Sequence, residues 1–224
     1  MPKINIAIDG PAGSGKSTVA LKVANELQYL YIDTGAMYRA LAYRVLLNNI
    51  SPSDEKTIDY VLKDMSFTLS GDGRHMLVNN EHLGQEIRSA SVTHAVSEVS
   101  SHHSVRLQML ERQQELAKQR GVVLDGRDIG THVLPDAELK VYLFASVDER
   151  ASRRHMENIQ NEQPSDFETI RQEIERRDHL DTTREFAPLR QADDAIPLDT
   201  TQLSIEDVVR FIYEHAREKE HTSS

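Results

Sequence analysis

The chain reads as an α/β protein: a five-stranded parallel sheet in three layers with flanking helices, plus a small antiparallel β insertion and a mobile lid. Three observations predict this. Short apolar runs alternate with stretches of helical spacing, the pattern of parallel strands joined by crossover helices. A glycine-rich loop sits at the first strand-to-helix junction. One segment, residues 65–83, breaks the alternation with two β-like runs around Gly71-Asp72-Gly73, a hairpin signal.

The elements follow in order. Residues 3–8 are an apolar run ending at the glycine loop, as a buried strand would. Residues 14–28 have helical spacing, with Val19, Ala20, Val23, Ala24 and Leu27 on one face. Residues 29–32 read as a second strand, and 35–47 as a helix with Met37, Leu41 and Val45 apolar. The β-like runs 66–70 and 74–78 form the insertion, and helical stretches follow at about 89–101 and 105–119. Residues 121–124 and 139–144 are further strands, and 195–198 is the fifth, although Pro197 lacks a backbone donor. Residues 204–217 close the pattern as a helix capped by Ser204, with Asp207 three residues on. Residues 155–167 are polar, lack apolar periodicity and contain Pro164; they read as a mobile loop between arginine-rich helices. The expected organisation is one domain, with a core of about 1–64 and 104–224, an insertion of about 65–103 and a lid of about 155–167.

Composition narrows the function. With 38% hydrophobic and 28% charged residues, the chain is of ordinary globular type rather than disordered. It has no cysteine, which excludes disulfides, thiolate metal sites and a cysteine nucleophile. The initial apolar run is too short for a signal-peptide core, and no stretch approaches the roughly 20 apolar residues of a membrane helix. A soluble cytoplasmic protein is expected. The net charge of −10 argues against binding polymeric nucleic acid. Arginine nevertheless outnumbers lysine and clusters at Arg150, Arg153, Arg154, Arg171, Arg176, Arg177, Arg184 and Arg190. Such a cluster is either a set of solvated helix faces paired with glutamates or a phosphate-binding surface.

The glycine loop favours phosphate. Gly10-Pro11-Ala12-Gly13-Ser14-Gly15-Lys16-Ser17, followed by Thr18, fits G-x-x-x-x-G-K-[ST]. The loop must wrap a phosphate with its N–H groups inward, so glycines stand where side chains would collide. Lys16 reaches the terminal phosphates, Ser17 offers a hydroxyl to Mg²⁺, and the next helix presents its positive end. The run Val122-Val123-Leu124-Asp125 ends an apolar strand in a carboxylate, which either starts a turn or holds the metal, directly or through water. A nucleoside triphosphate site at residues 10–18 follows.

A GTP switch protein needs Asn-Lys-x-Asp and Asp-x-x-Gly, and neither occurs. A small-molecule kinase needs an arginine-lined acceptor site. Three motifs supply one: Asp33-Thr34-Gly35-Ala36-Met37-Tyr38-Arg39, Asp125-Gly126-Arg127-Asp128, and Arg176-Arg177-Asp178-His179-Leu180-Asp181-Thr182-Thr183-Arg184. The first two sit at the carboxyl ends of strands, where α/β sheets bind ligands. His102, His103, His132 and His155 could serve as bases, but surface or supporting roles are expected of them.

Together these motifs, with Asp125-Gly126-Arg127-Asp128-Ile129-Gly130-Thr131 the most discriminating, resemble bacterial cytidylate kinases, P-loop proteins of the nucleoside monophosphate kinase family. The resemblance spans nearly the whole chain and includes the insertion, which would bind the acceptor nucleotide; it is loosest in the lid. It implies ATP- and Mg²⁺-dependent phosphorylation of CMP and dCMP by a monomer with no membrane partner. It implies that Arg39 and Arg127 hold the acceptor phosphate and that Thr34, Arg106 and Asp128 face the cytosine. Arg177, Asp181 and Arg184 would line the ribose and phosphate side, with Ser97 near the 2′ position. Lys16, Arg39, Arg127 and Arg154 would carry the transfer, and Arg150, Arg153 and Arg154 would reach the triphosphate. A kinase for UMP or dTMP, or an ATP-driven regulatory module, is the alternative.

Overall fold

The computed structural model describes residues 2–70, 76–82 and 84–222. Its centre is a five-stranded sheet built from β1 (Asn5–Asp9), β2 (Leu30–Asp33), β5 (Val122–Gly126), β6 (Leu139–Phe144) and β7 (Ile196–Asp199). The order is β2-β5-β1-β6-β7 and every pairing is parallel. Alternate side chains point to opposite faces of a strand. Ile6 and Ile8 of β1, Val123 of β5 and Leu139, Val141 and Leu143 of β6 therefore pack beneath α1 (Lys16–Leu27) and α8 (Ile205–Thr222). Ala7, Ile32, Val122 and Leu124 pack on the opposite face, against α2 (Thr34–Leu47), α3 (Glu55–Lys63), α4 (Ala90–Val99) and α5 (His103–Ala117). Covering both faces is what lets the strands be apolar throughout. Pro197 is tolerated because β7 is an edge strand.

A two-stranded antiparallel sheet pairs β3 (Phe67–Leu69) with β4 (Met76–Val78), Phe67 opposite Val78. The Gly71-Asp72-Gly73 turn expected between them lies outside the described residues. The chain then passes through a tight turn, Gln85–Arg88, into α4.

Several boundaries depart from the sequence reading; α8, expected to end at 217, runs on to Thr222. α3 is an additional helix: Asp54 caps it by accepting from the Thr57 amide at 3.1 Å, and Ile58 and Leu62 are its buried face. α2 starts at Thr34, but its cap is Asp33, whose carboxylate accepts from the Ala36 amide at 2.7 Å. The segment expected to be loop from 155 is helical as far as Gln160, as α6 (Val147–Gln160). That helix is polar, yet Ser146 caps it and it packs against α7 (Phe167–Thr183) through Val147, Ala151, Ile170 and Ile174. The connection without helix shrinks to residues 161–166. Among the described residues no helix is long and apolar enough to cross a membrane.

Candidate active site

β1 delivers the chain directly into the phosphate loop. Gly10, Gly13 and Gly15 take φ of 150°, 76° and 87°, values open to glycine at little cost. At Gly10 the reason is also steric, since a Cβ there would lie 1.9 Å from the Leu143 carbonyl oxygen. α1 begins at Lys16 with no acidic residue in its first turn, so its positive end is not neutralised. Lys16 is buried; its Nζ donates to the Pro11 carbonyl at 2.6 Å and to Ser14 Oγ at 3.2 Å. Burial, with Arg127 close by, pulls its pKa well below the ordinary lysine value.

The loop opens into a cleft of about 750 Å³. Ala12 to Thr18 line it together with Asp33, Thr34, Arg39, Arg106, Arg127, Asp128, Arg177, Asp181 and Arg184. Nine basic side chains line this cleft against six acidic ones, a local excess of positive charge inside a chain of net charge −10. Of the clustered arginines, Arg153, Arg154, Arg177 and Arg184 line this cleft, whereas Arg171 pairs on the surface with Asp148, Glu168 and Glu175.

Acidic side chains hold these cations in place. Arg127 Nε donates to Asp181 at 2.8 Å, and Arg184 donates to Asp181 at 3.5 Å. Asp128 accepts from Arg106 at 2.7 Å and from Arg184 at 3.3 Å. Arg106 is buried at 3% exposure, leans over the Tyr38 ring and leaves its Nε without a protein partner. Arg39 donates to Asp33 at 3.0 Å, and its buried Nε also lacks a protein partner. Arg177 has burial and Arg127 against it, and its pKa falls to about 10. Cations crowded in this way favour the arrival of a polyanion.

Ser17 and Asp125, the two residues expected to hold a metal, lie in hydrogen-bond contact. Ser17 Oγ donates to Asp125 Oδ2 at 2.7 Å, and Tyr31 donates to Asp125 Oδ1 at 2.9 Å. Hydroxyl and carboxylate oxygens are the donors a hard divalent cation takes. Among the described residues no cluster of three or more His, Asp or Glu forms a dedicated metal cage. One or two protein oxygens completed by water and phosphate suit Mg²⁺.

Some candidates sit differently from their expected positions. Arg150 does not line the cleft. It is buried, and its guanidinium reaches the Ala145 carbonyl (3.0 Å), the Ala12 carbonyl (3.0 Å) and Asp178 (2.6 Å). It props the outside of the phosphate loop rather than facing a triphosphate. Arg153 lines the cleft tied to Glu149 and to the Thr200 carbonyl, and Arg154 lines it half-exposed, 3.6 Å from Glu157. Thr34 lines the cleft but donates its hydroxyl to the Asp125 carbonyl at 2.6 Å. Around Ser97 the cleft is lined by Val96 and Ser100, not by Ser97 itself, whose carbonyl accepts from Ser100 Oγ at 3.2 Å.

Arg88, in the turn before α4, lines the cleft with its side chain 57% exposed and 3.8 Å from Asp33. No motif marks it in the sequence. No motif marks Leu203, Ile205 and Val208 either, yet they line the cleft and give it an apolar patch.

Fold and cleft together define a phosphate-loop kinase. The sequence model of the cytidylate kinase family matches residues 6–218. A cytidylate kinase of Geobacillus sp. (strain WCH70) is 56% identical, covering 96% of this chain and 97% of the relative. One of Geobacillus kaustophilus (strain HTA426) is 54% identical over 97% of this chain and 98% of the relative. The chain belongs to the cytidylate kinase family. A gluconokinase from Sinorhizobium meliloti 1021, 16% identical with a TM-score of 0.53 over 99% of this chain and 96% of that one, is similar in fold alone.

Proposed function

We propose that the chain moves the terminal phosphoryl group of ATP onto the phosphate of CMP or dCMP, giving CDP or dCDP. The observation that supports this best is one cleft lined by the phosphate loop together with Arg39 and Arg127. The relatives named cytidylate kinase fix the acceptor class.

The chemistry asks little of a general base, because an acceptor phosphate is already largely ionised at neutral pH. Positioning and charge neutralisation carry phosphoryl transfer. In this reading the amides of residues 12–17 cradle the donor phosphates, and Lys16 leaves the Pro11 carbonyl to meet their terminal oxygens. Arg39 and Arg127 hold the acceptor phosphate in line, and Arg154 swings in from α6. Ser17 and Asp125 would hold Mg²⁺, which supplies further neutralisation of phosphate charge when bound. Closure of the α6–α7 lid excludes water that would otherwise compete as acceptor. Arg177, Asp181 and Arg184 line the sugar side. A monomer working in the cytoplasm completes the reading.

Base choice rests on Asp128. Two arginines hold its carboxylate as a pure acceptor with lone pairs to spare. Cytosine brings an amino donor; uracil brings a carbonyl oxygen, with no proton between it and the carboxylate. Leaving such a group unpaired costs about 1–3 kcal/mol. Asp128→Ala is expected to lower kcat/KM for CMP at least tenfold more than for UMP. Equal losses on the two substrates in steady-state kinetics would remove the base-reading role.

A coupled assay of purified protein across CMP, dCMP, UMP, AMP and dTMP tests the function. Turnover of CMP and dCMP well above the others is expected. Preference for another acceptor, or ATP hydrolysis that no acceptor stimulates, would overturn the assignment.

A further inference from the structure

Asp9 plays no part in the mechanism above, yet it sits where the two halves of the site meet. It is the last residue of β1, immediately before Gly10 opens the phosphate loop, and it lies in register with Gly126, where the chain leaves β5 for Arg127 and Asp128. Its side chain is only 5% exposed. One carboxylate oxygen accepts from the Ile129 amide at 2.8 Å and the other from the Gly130 amide at 2.7 Å. These amides open a wide helical turn, Ile129–Val133, that follows directly on the acceptor-side pair. Wide turns of this kind recur at functional sites.

Burial opposes a carboxylate here and raises its pKa to about 7, while the two amide bonds hold against that shift. A strand end needs no such group. A loop that must keep two side chains at fixed places relative to a neighbouring loop does.

We infer that Asp9 is a positioning residue: by gripping the Ile129 and Gly130 amides from the root of the phosphate loop, it sets the distance between the donor loop and the side chains of Arg127 and Asp128. The inference rests on the assignment of Arg127 and Asp128 to the acceptor side. Gly130 belongs to the same device. A Cβ there would lie 3.1 Å from Lys140 Cδ and 3.4 Å from Asp9 Oδ2, so an alanine would press on Lys140 and on the Asp9 contact by a few tenths of an ångström.

The test compares wild type, Asp9→Asn and Gly130→Ala. Asparagine keeps the size but turns an N–H donor towards one of the two amides. The alanine crowds the Asp9–Gly130 contact while Asp9 stays intact, so it serves if Asp9→Asn folds poorly. Both variants are expected to raise KM for CMP roughly tenfold and to shrink the CMP-to-UMP ratio of kcat/KM, with KM for ATP changed less than about twofold. A merely structural Asp9 would lower kcat for every substrate by the folded fraction and leave each KM and the ratio unchanged. That result, or an equal rise in KM for ATP and CMP, would overturn the inference. Wild type measured in parallel separates the two readings: if it fails to phosphorylate CMP, the proposed function fails, whatever the variants do.

Discussion

Replacing Lys16 with alanine is expected to lower kcat for phosphoryl transfer by roughly 10³-fold or more while leaving the fold intact by circular dichroism. The geometry explains both halves. Lys16 donates to two neutral partners, the Pro11 carbonyl and Ser14 Oγ, and has only Asp125 and Asp181 in favour of its charge. Against them stand its own burial and the nearby guanidiniums of Arg127 and Arg177. Its charge is therefore unfavourable until phosphate arrives. Truncation removes that charge, so the free protein should melt at the same temperature or somewhat higher. What disappears is the stabilisation that ATP confers. For the wild type, ligand at 100 times Kd adds about 2.7 kcal/mol. For the variant the rise in Tm with ATP should be much smaller. Substantial residual turnover, or an unchanged ATP-dependent rise in Tm, would refute the loop assignment.

Arg127→Ala should have the next largest effect, a loss of roughly 10³-fold in kcat/KM for CMP. Arg127 lies between the phosphate loop and α7, near enough to Lys16 to depress its pKa while its own Nε is tied to Asp181. That tie fixes the guanidinium before substrate arrives, so little side-chain entropy is lost on binding. The variant should still fold, because Asp181 keeps Arg184 as a partner. KM for ATP should move far less than KM for CMP, since the acceptor phosphate is the group left without its clamp. Comparable losses on both substrates would place Arg127 on the donor side instead.

How far the chain could be read from its sequence follows from which interactions are local. The phosphate loop is legible because its work is done by consecutive backbone amides, and the glycines and Lys16 announce that conformation. The sheet is legible because strands buried on both faces must be continuously apolar. α3 was missed although its signal is local: Asp54 followed by Ile58, Val61 and Leu62 is a capped helical face.

Other features were not legible, for a physical reason. Arg150, Arg153 and Arg154 look alike in sequence, yet Arg150 is buried behind the phosphate loop and the other two face the cleft. Only the packing of α6 against α7 decides this. Arg88 stands alone in a segment without a motif. Asp9 looks like the start of the loop until its partners, 120 and 121 residues away, are known.

The central claim is that the amide cradle around Lys16 and the arginines Arg39 and Arg127 open into one cavity, across which a phosphoryl group passes. The most direct measurement is inhibition by adenosine and cytidine joined 5′ to 5′ through a polyphosphate chain. If the claim holds, this molecule competes with ATP and with CMP, and Lys16→Ala and Arg127→Ala each weaken it. If it competes with only one substrate, or if either substitution leaves its affinity unchanged, the two sites do not share a cavity and the account is wrong.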